Sequence, residues 1–127
     1  MSKDETNKMI SAPWGVHVVT HEQKGLRTKV LYINPNQRTS LQKHKDRWEY
    51  LVVVSGSGQI YGGMLTREVK ERATVRVMSG MEHRITANSE GLVIAETQIS
   101  TLPDGSFSED DIIRIEDDYG RVQKEPE

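Results

Sequence analysis

Gln42, His44 and Glu49 lie within the segment from Asn36 to Gly56 and offer an amide oxygen, an imidazole and a carboxylate. Residues two apart on a strand point to one face, so an extended chain aims Gln42 and His44 the same way. Glu49 heads the run Glu49-Tyr50-Leu51-Val52-Val53-Val54, which reads as a strand buried on both faces. A carboxylate at the head of such a strand is costly to bury unless a cation or hydrogen bonds compensate it. A metal ion would satisfy all three groups at once. His83, which follows the Ser79-Gly80 turn signal at the start of another strand, is the fourth candidate, because two facing sheets would bring it toward the other three. Imidazole, carboxylate and amide oxygen make a mixed nitrogen–oxygen set suited to Zn²⁺, Mn²⁺, Fe²⁺, Co²⁺ or Ni²⁺ rather than to soft metals. Taken singly, each residue has a plainer explanation: a lone histidine near a strand end is commonly packed or exposed, and Glu49 could pair with Lys45 or Arg47. The combination argues for a metal. His17 and His21 sit on an alternating strand without ligand-like neighbours and are read as non-ligands.

The elements that must hold these groups are strands. Pro13-Trp14-Gly15 marks an entry turn, with Trp14 plugging one end of a core. Val16–Glu22 and Thr28–Ile33 read as strands around the turn Gln23-Lys24-Gly25, and Asn34-Pro35-Asn36 ends the second. A short strand and a long one over 48–54 follow, with turns expected at Ser55–Gly58, Ser79-Gly80 and Asn88–Gly91. Residues 67–77, 82–86 and 92–99 supply further strands. In the acidic segment Glu109–Arg121, Ile112, Ile113 and Ile115 suggest packing onto the barrel, with Asp110, Asp111, Asp117 and Asp118 solvated or capping turns. About eight short strands and no amphipathic helix predict an all-β barrel or double-sheet jelly roll. The expected organisation is a flexible tail over 1–11, one barrel domain over 12–121 and a second tail over 122–127.

Composition narrows the function classes. The chain has 127 residues, one domain's worth, and a formal net charge of −2, which does not supply the clustered basic excess of a nucleic-acid binder. It has no cysteine, so disulfides and thiolate metal sites are excluded. No apolar run approaches the roughly 20 residues of a membrane span, and residues 1–8 lack the apolar core of a signal peptide. A cytoplasmic location is the expectation. With 35% hydrophobic residues, so small a barrel gains from covering one outer sheet with a second copy, and a homodimer is expected.

The spacing Asn36-x5-Gln42-x-His44-x4-Glu49-x6-Gly56 resembles the first cupin motif, with Asn in place of the leading Gly and Gln in place of the first His. The second motif is met in part: Gly80-Met81-Glu82-His83 fits, while Met78 replaces its Pro and Ala87 its Asn. Gln42-x-His44-x-x-Arg47-x-Glu49 is more specific and resembles the signature of type II mannose-6-phosphate isomerases. These form the C-terminal cupin domain of bifunctional guanylyltransferase/isomerases and also occur as short free-standing proteins. Pro13-Trp14-Gly15 is similar to that family's opening, and Glu109–Arg121 to its ending, so the resemblance spans about residues 12–121. Ala12 and Leu51 depart from the family's Arg and Trp, and the interval from Gln98 to Glu109 is longer than usual.

The resemblance implies a cupin-type double-stranded β-helix with one divalent metal ion, Zn²⁺ first, held by Gln42, His44, Glu49 and His83. It implies isomerisation of a sugar phosphate, mannose 6-phosphate to fructose 6-phosphate, through an enediol(ate). Arg47 is then the candidate active-site cation, Lys29 a contact to phosphate or a substrate oxygen, and Glu96 an inward carboxylate that could serve as base. The alternative is a non-catalytic cupin that binds a sugar or nucleotide-sugar as a sensor or partner subunit.

Overall fold

The computed structural model describes residues 6–108 and 110–122. They form nine strands and no helix: β1 Met9–Ala12, β2 Gly15–Gln23, β3 Leu26–Ile33, β4 Leu41–Lys43, β5 Arg47–Gly62, β6 Leu65–Lys70, β7 Thr74–Val77, β8 His83–Ser100 and β9 Ile113–Glu116. None of the described residues makes a helix long and apolar enough to cross a membrane. The strands join in the order β1-β2-β3-β8-β4-β9, and β5 pairs with β6, β7 and β8. All pairings between named strands are antiparallel.

Two very long strands build the roll. The expected turns at Ser55–Gly58 and Asn88–Gly91 do not reverse the chain: β5 runs unbroken for 16 residues and β8 for 18. They pair along nearly their whole length, with register shifts between Val53 and Ser55 and between Gly56 and Gly58. Such bulges bend a strand and let it pass from one sheet into the next. Glycine makes the bend possible. A Cβ on Gly56 would lie 2.1 Å from the Gly91 carbonyl oxygen, and one on Gly58 would lie 2.0 Å from that of Thr86. The turn signals therefore mark the corners of a rolled sheet.

Two further expectations are corrected. The segment 49–54 is not buried on both faces: Glu49, Leu51 and Val53 are buried, while Val52 and Val54 are 40% and 54% exposed, because among the described residues no element covers the outside of β5. The ordered strands also begin before residue 12. Met9–Ala12 pairs antiparallel with residues 15–18 of β2, which gives its backbone groups partners. Residues 1–5 and 123–127 of the expected tails, and Glu109 of the acidic segment, lie outside the described residues.

Inside the roll, Leu31, Ile33, Leu51, Val53, Ile60, Ile85, Leu92 and Ile94 form one buried cluster, joined by Trp14 at its edge. The acidic C-terminal segment contributes β9, which pairs with β4 and lays its chain along the wall that carries Gln42. That leaves one end of the roll filled with hydrocarbon and the other open as a cavity.

Candidate metal centre

The cavity has a volume of about 210 Å³ and is lined by Gln42, His44, Glu49 and His83, together with Lys29, Arg47 and Glu96. Each group comes from a different place in the fold. Gln42 is on β4, directly opposite His83 at the head of β8. His44 lies just past β4, and Glu49 near the start of β5. The Ser79-Gly80 turn ties these pieces together: Gly80 N–H donates to the His44 carbonyl (2.7 Å), and Ser79 Oγ donates to the Lys45 carbonyl.

His44, Glu49 and His83 are all buried, and one ligand-type atom from each lies within 4.8 Å of the others. His44 Nε2 is 3.4 Å from one Glu49 oxygen, and His83 Nε2 is 3.4 Å from the other. The Gln42 amide is 3.5 Å from both imidazole Nε2 atoms, and its oxygen accepts from Ser40 Oγ at 2.6 Å. The outward ring nitrogens have backbone partners. His44 Nδ1 donates to the Asp111 carbonyl (2.7 Å), and His83 Nδ1 to the Met81 carbonyl (3.1 Å). With Nδ1–H so fixed, the neutral form of each ring turns its Nε2 lone pair toward the shared space, the tautomer a metal requires. The donor set and its inward orientation fit a divalent ion: these three side chains could hold one, with Gln42 beside them.

The electrostatics keep the carboxylate of this group ionised. Burial lowers the His44 pKa to about 4, with Arg47 and His83 adding to it against the attraction of Glu49. Burial also opposes charge on His83, but its hydrogen bond to Glu49 and that carboxylate's charge win and raise it. Glu49 itself is held far below the ordinary carboxylate range, because His44, His83 and Arg47 together outweigh burial. Arg47 is bound into the cage, donating Nε to Glu49 (3.0 Å) and lying 3.2 Å from His44 Nε2.

Deeper in the wall, Glu96 stands opposite Lys29 across β3 and β8. It is buried, and burial first, then the charge of Glu49, raises its pKa despite Lys29, Arg47 and a hydrogen bond from Gln98. Sequence reasoning passed over Gln98 and Arg27, whose Nε donates to Gln98 at 2.7 Å. Both were within reach of the period-2 rule: stepping back from Lys29 gives Arg27, and stepping on from Glu96 gives Gln98. Asp111, expected to be solvated or capping, does cap, accepting from the backbone N–H groups of Lys45 and Asp46 at 2.7 and 3.0 Å. The same anchorage brings its carbonyl to His44. Arg114 and Arg121 also line the cavity, as does His17, which packs beside Trp14 and lies outside the metal-type group.

A buried two-histidine, one-carboxylate group inside a rolled antiparallel sheet defines a cupin, and solved structures with this fold agree. KdgF from Halomonas sp. superposes with a TM-score of 0.69 at 11% identity, covering 76% of this chain and 90% of that one. An RmlC-like cupin from Shewanella frigidimarina gives 0.68 at 12% identity, covering 81% and 91%. The fold is the cupin double-stranded β-helix. Residues 1–117 match the family described as mannose-6-phosphate isomerase, C-terminal, and the chain belongs to it. Among curated relatives, the alginate biosynthesis protein AlgA of Pseudomonas aeruginosa is 31% identical over 122 residues, 95% of this chain and 24% of AlgA. The xanthan biosynthesis protein XanB of Xanthomonas campestris is 29% identical over 117 residues, 91% of this chain and 24% of XanB. The chain thus spans about a quarter of the length of these relatives.

Proposed function

We propose that this chain is a metal-dependent sugar-phosphate isomerase that interconverts mannose 6-phosphate and fructose 6-phosphate through an enediol(ate). One observation carries the reading: in a chain of this family, a single cavity holds the buried group of His44, Glu49 and His83 and a second buried carboxyl, Glu96, that retains its proton more readily than usual. His44, Glu49, His83 and Gln42 would hold the ion, Zn²⁺ first and Mn²⁺, Fe²⁺, Co²⁺ or Ni²⁺ as alternatives. An ion held by these residues would supply Lewis acidity for the carbonyl of the substrate.

The proton itself is left to the protein. Aldose–ketose exchange moves one proton between C1 and C2, which calls for a group that accepts it at one carbon and returns it at the other. Glu96 suits this role because burial and the nearby Glu49 charge weaken its acidity. Lys29, its cross-strand partner, favours the ionised form and opposes that rise. Arg47 keeps Glu49 and His44 in place and presents positive charge to any substrate oxygen brought against them.

The test is NMR of fructose 6-phosphate incubated with the zinc-loaded protein. Mannose 6-phosphate is expected to appear, and chelator or His44→Ala to abolish it. No turnover on any hexose phosphate by fully loaded protein would sink the reading in favour of a non-catalytic binder.

We also propose that the chain acts as a homodimer. The outward face of β3, β8 and β5 carries Val30, Ala95 and Val52 in one cross-strand row, with Tyr32 and Val93 paired alongside. Tyr32, Tyr50, Val52 and Val54 of this face are exposed, and covering them would bury a continuous apolar patch. Light scattering at micromolar concentration is expected to give twice the chain mass; a clean monomer would refute the dimer.

A further inference from the structure

Among the described residues, the cationic side chains that line the cavity are Arg27, Lys29, Arg47, Arg114 and Arg121. Four of them have a carboxylate or amide to face. Arg27 donates to Gln98, Arg47 to Glu49, and Lys29 stands opposite Glu96. Arg121 donates Nε and a terminal nitrogen to Asp117 at 2.8 and 3.1 Å. Arg114 differs: its Nε is shut off from solvent and has no hydrogen-bond partner among the described residues. A buried donor left without a partner is costly, more so on a charged group. Burial and the nearby Arg121 both disfavour the Arg114 charge, and Asp117 offsets them only in part. A fold that keeps two guanidinium groups close together against one carboxylate leaves room for a second anion.

Its position says which anion. Arg114 is directly opposite Gln42 in the β4–β9 pairing, and Gln42 is directly opposite His83 in β4–β8. Residues in such a cross-strand row share a face. The row Arg114–Gln42–His83 therefore runs along the cavity wall from this guanidinium to the metal-type group, across two strand spacings, or about 10 Å. An open-chain hexose phosphate has that form, with its reacting C1 and C2 at one end and a phosphate dianion at the other. The planar fork of a guanidinium matches phosphate oxygens in pairs.

We propose that Arg114, with Arg121 beside it, is the subsite that takes the phosphate group of the substrate, an inference that rests on the sugar-phosphate reading above. Arg47 is then left to the ligand cage, and the substrate lies along β4 with its phosphate toward β9.

The test uses the metal-loaded chain with inorganic phosphate as the probe, read by thermal shift with metal content measured alongside. Phosphate is expected to raise the melting temperature of the wild type, and Arg114→Gln to remove most of that rise at unchanged metal content. In turnover of mannose 6-phosphate, Arg114→Gln is expected to raise KM roughly ten- to a hundredfold, the scale of a charge-assisted hydrogen bond, with kcat changed far less. Equal phosphate-induced shifts in both proteins, or none in the wild type, overturn the subsite. If Arg114→Gln does not fold, the wild-type Arg114 Nε–H resonance decides during a phosphate titration: movement supports the subsite, and a stationary signal overturns it. The two proposals separate cleanly. Phosphate binding through Arg114 without turnover keeps the subsite and ends the isomerase reading; turnover with KM untouched by Arg114→Gln does the reverse.

Discussion

Along β8, Leu92, Ile94, Glu96 and Gln98 all point inward and all are buried, yet the first pair is hydrocarbon and the second is polar. Neighbouring strands change character at the same level. Leu31 on β3 and Val53 on β5 flank Ile94, whereas Arg27 and Glu49 flank Gln98. The two halves of the interior have the same alternation and the same burial, and opposite energetics. At the closed end, removing apolar surface from water stabilises the fold, at about 25 cal/mol per Å². At the open end each buried polar group is a cost that only a partner offsets. Stability and chemistry are thus separated along single strands, a few residues apart.

Substitutions at the two ends should therefore break different properties. The largest expected effect on stability is at the closed end: Ile94→Ala, at a fully buried position, should cost about 2–5 kcal/mol in denaturant unfolding while metal content in the folded protein stays at the wild-type level. Loss of metal at unchanged stability would contradict the division. Next comes the contact that orients a ligand from outside. Asp111→Ala frees the segment whose carbonyl holds His44 Nδ1, and should weaken metal binding by roughly 10–100-fold in a competition titration. Stability of the metal-free chain should change little.

The smallest effect has the most informative sign. Glu96 has a raised pKa in the folded chain, so above the unfolded value of about 4.3 the unfolded chain is ionised while the folded one still holds its proton. Stability is then lost as pH rises from that value toward the folded pKa. Glu96→Gln should remove the penalty, raising the melting temperature modestly at pH 7, with the gain vanishing below about pH 4. The same variant should lose turnover, a trade of activity for stability confined to the open end. A variant less stable than wild type at pH 7 would show that Glu96 is not strained there.

How much of this could be read from the sequence follows from how far apart the partners are. Gln42, His44 and Glu49 fall within eight residues; strand periodicity was enough to aim Gln42 and His44 the same way, and the cost of burying a carboxylate pointed to Glu49. Lys29 was picked out as a substrate contact and Glu96 as an inward carboxylate, and the register places the two opposite each other. The Arg27–Gln98 hydrogen bond joins residues 71 apart, and nothing local marks it. Arg114 was hidden for a similar reason: in an acidic segment it looks like a solvated charge until the β4–β9 register turns it toward Gln42. The corners at Ser55–Gly58 and Asn88–Gly91 misled for another reason. Gly, Ser and Asn favour turns, but the same backbone freedom serves a bulge when a partner strand keeps hydrogen-bonding through it.

The bond from His44 to the Asp111 carbonyl spans 67 residues of chain. At a synthesis rate of 5–20 residues per second, Asp111 leaves the ribosome roughly 3–13 seconds after His44. Until then the imidazole lacks the carbonyl that fixes its tautomer in the folded chain, although Glu49 and then His83 emerge before Asp111 does. The residue that orients His44 is thus made after all four side chains of the candidate centre, so the ligand geometry is completed from a segment that emerges later than the groups it orders.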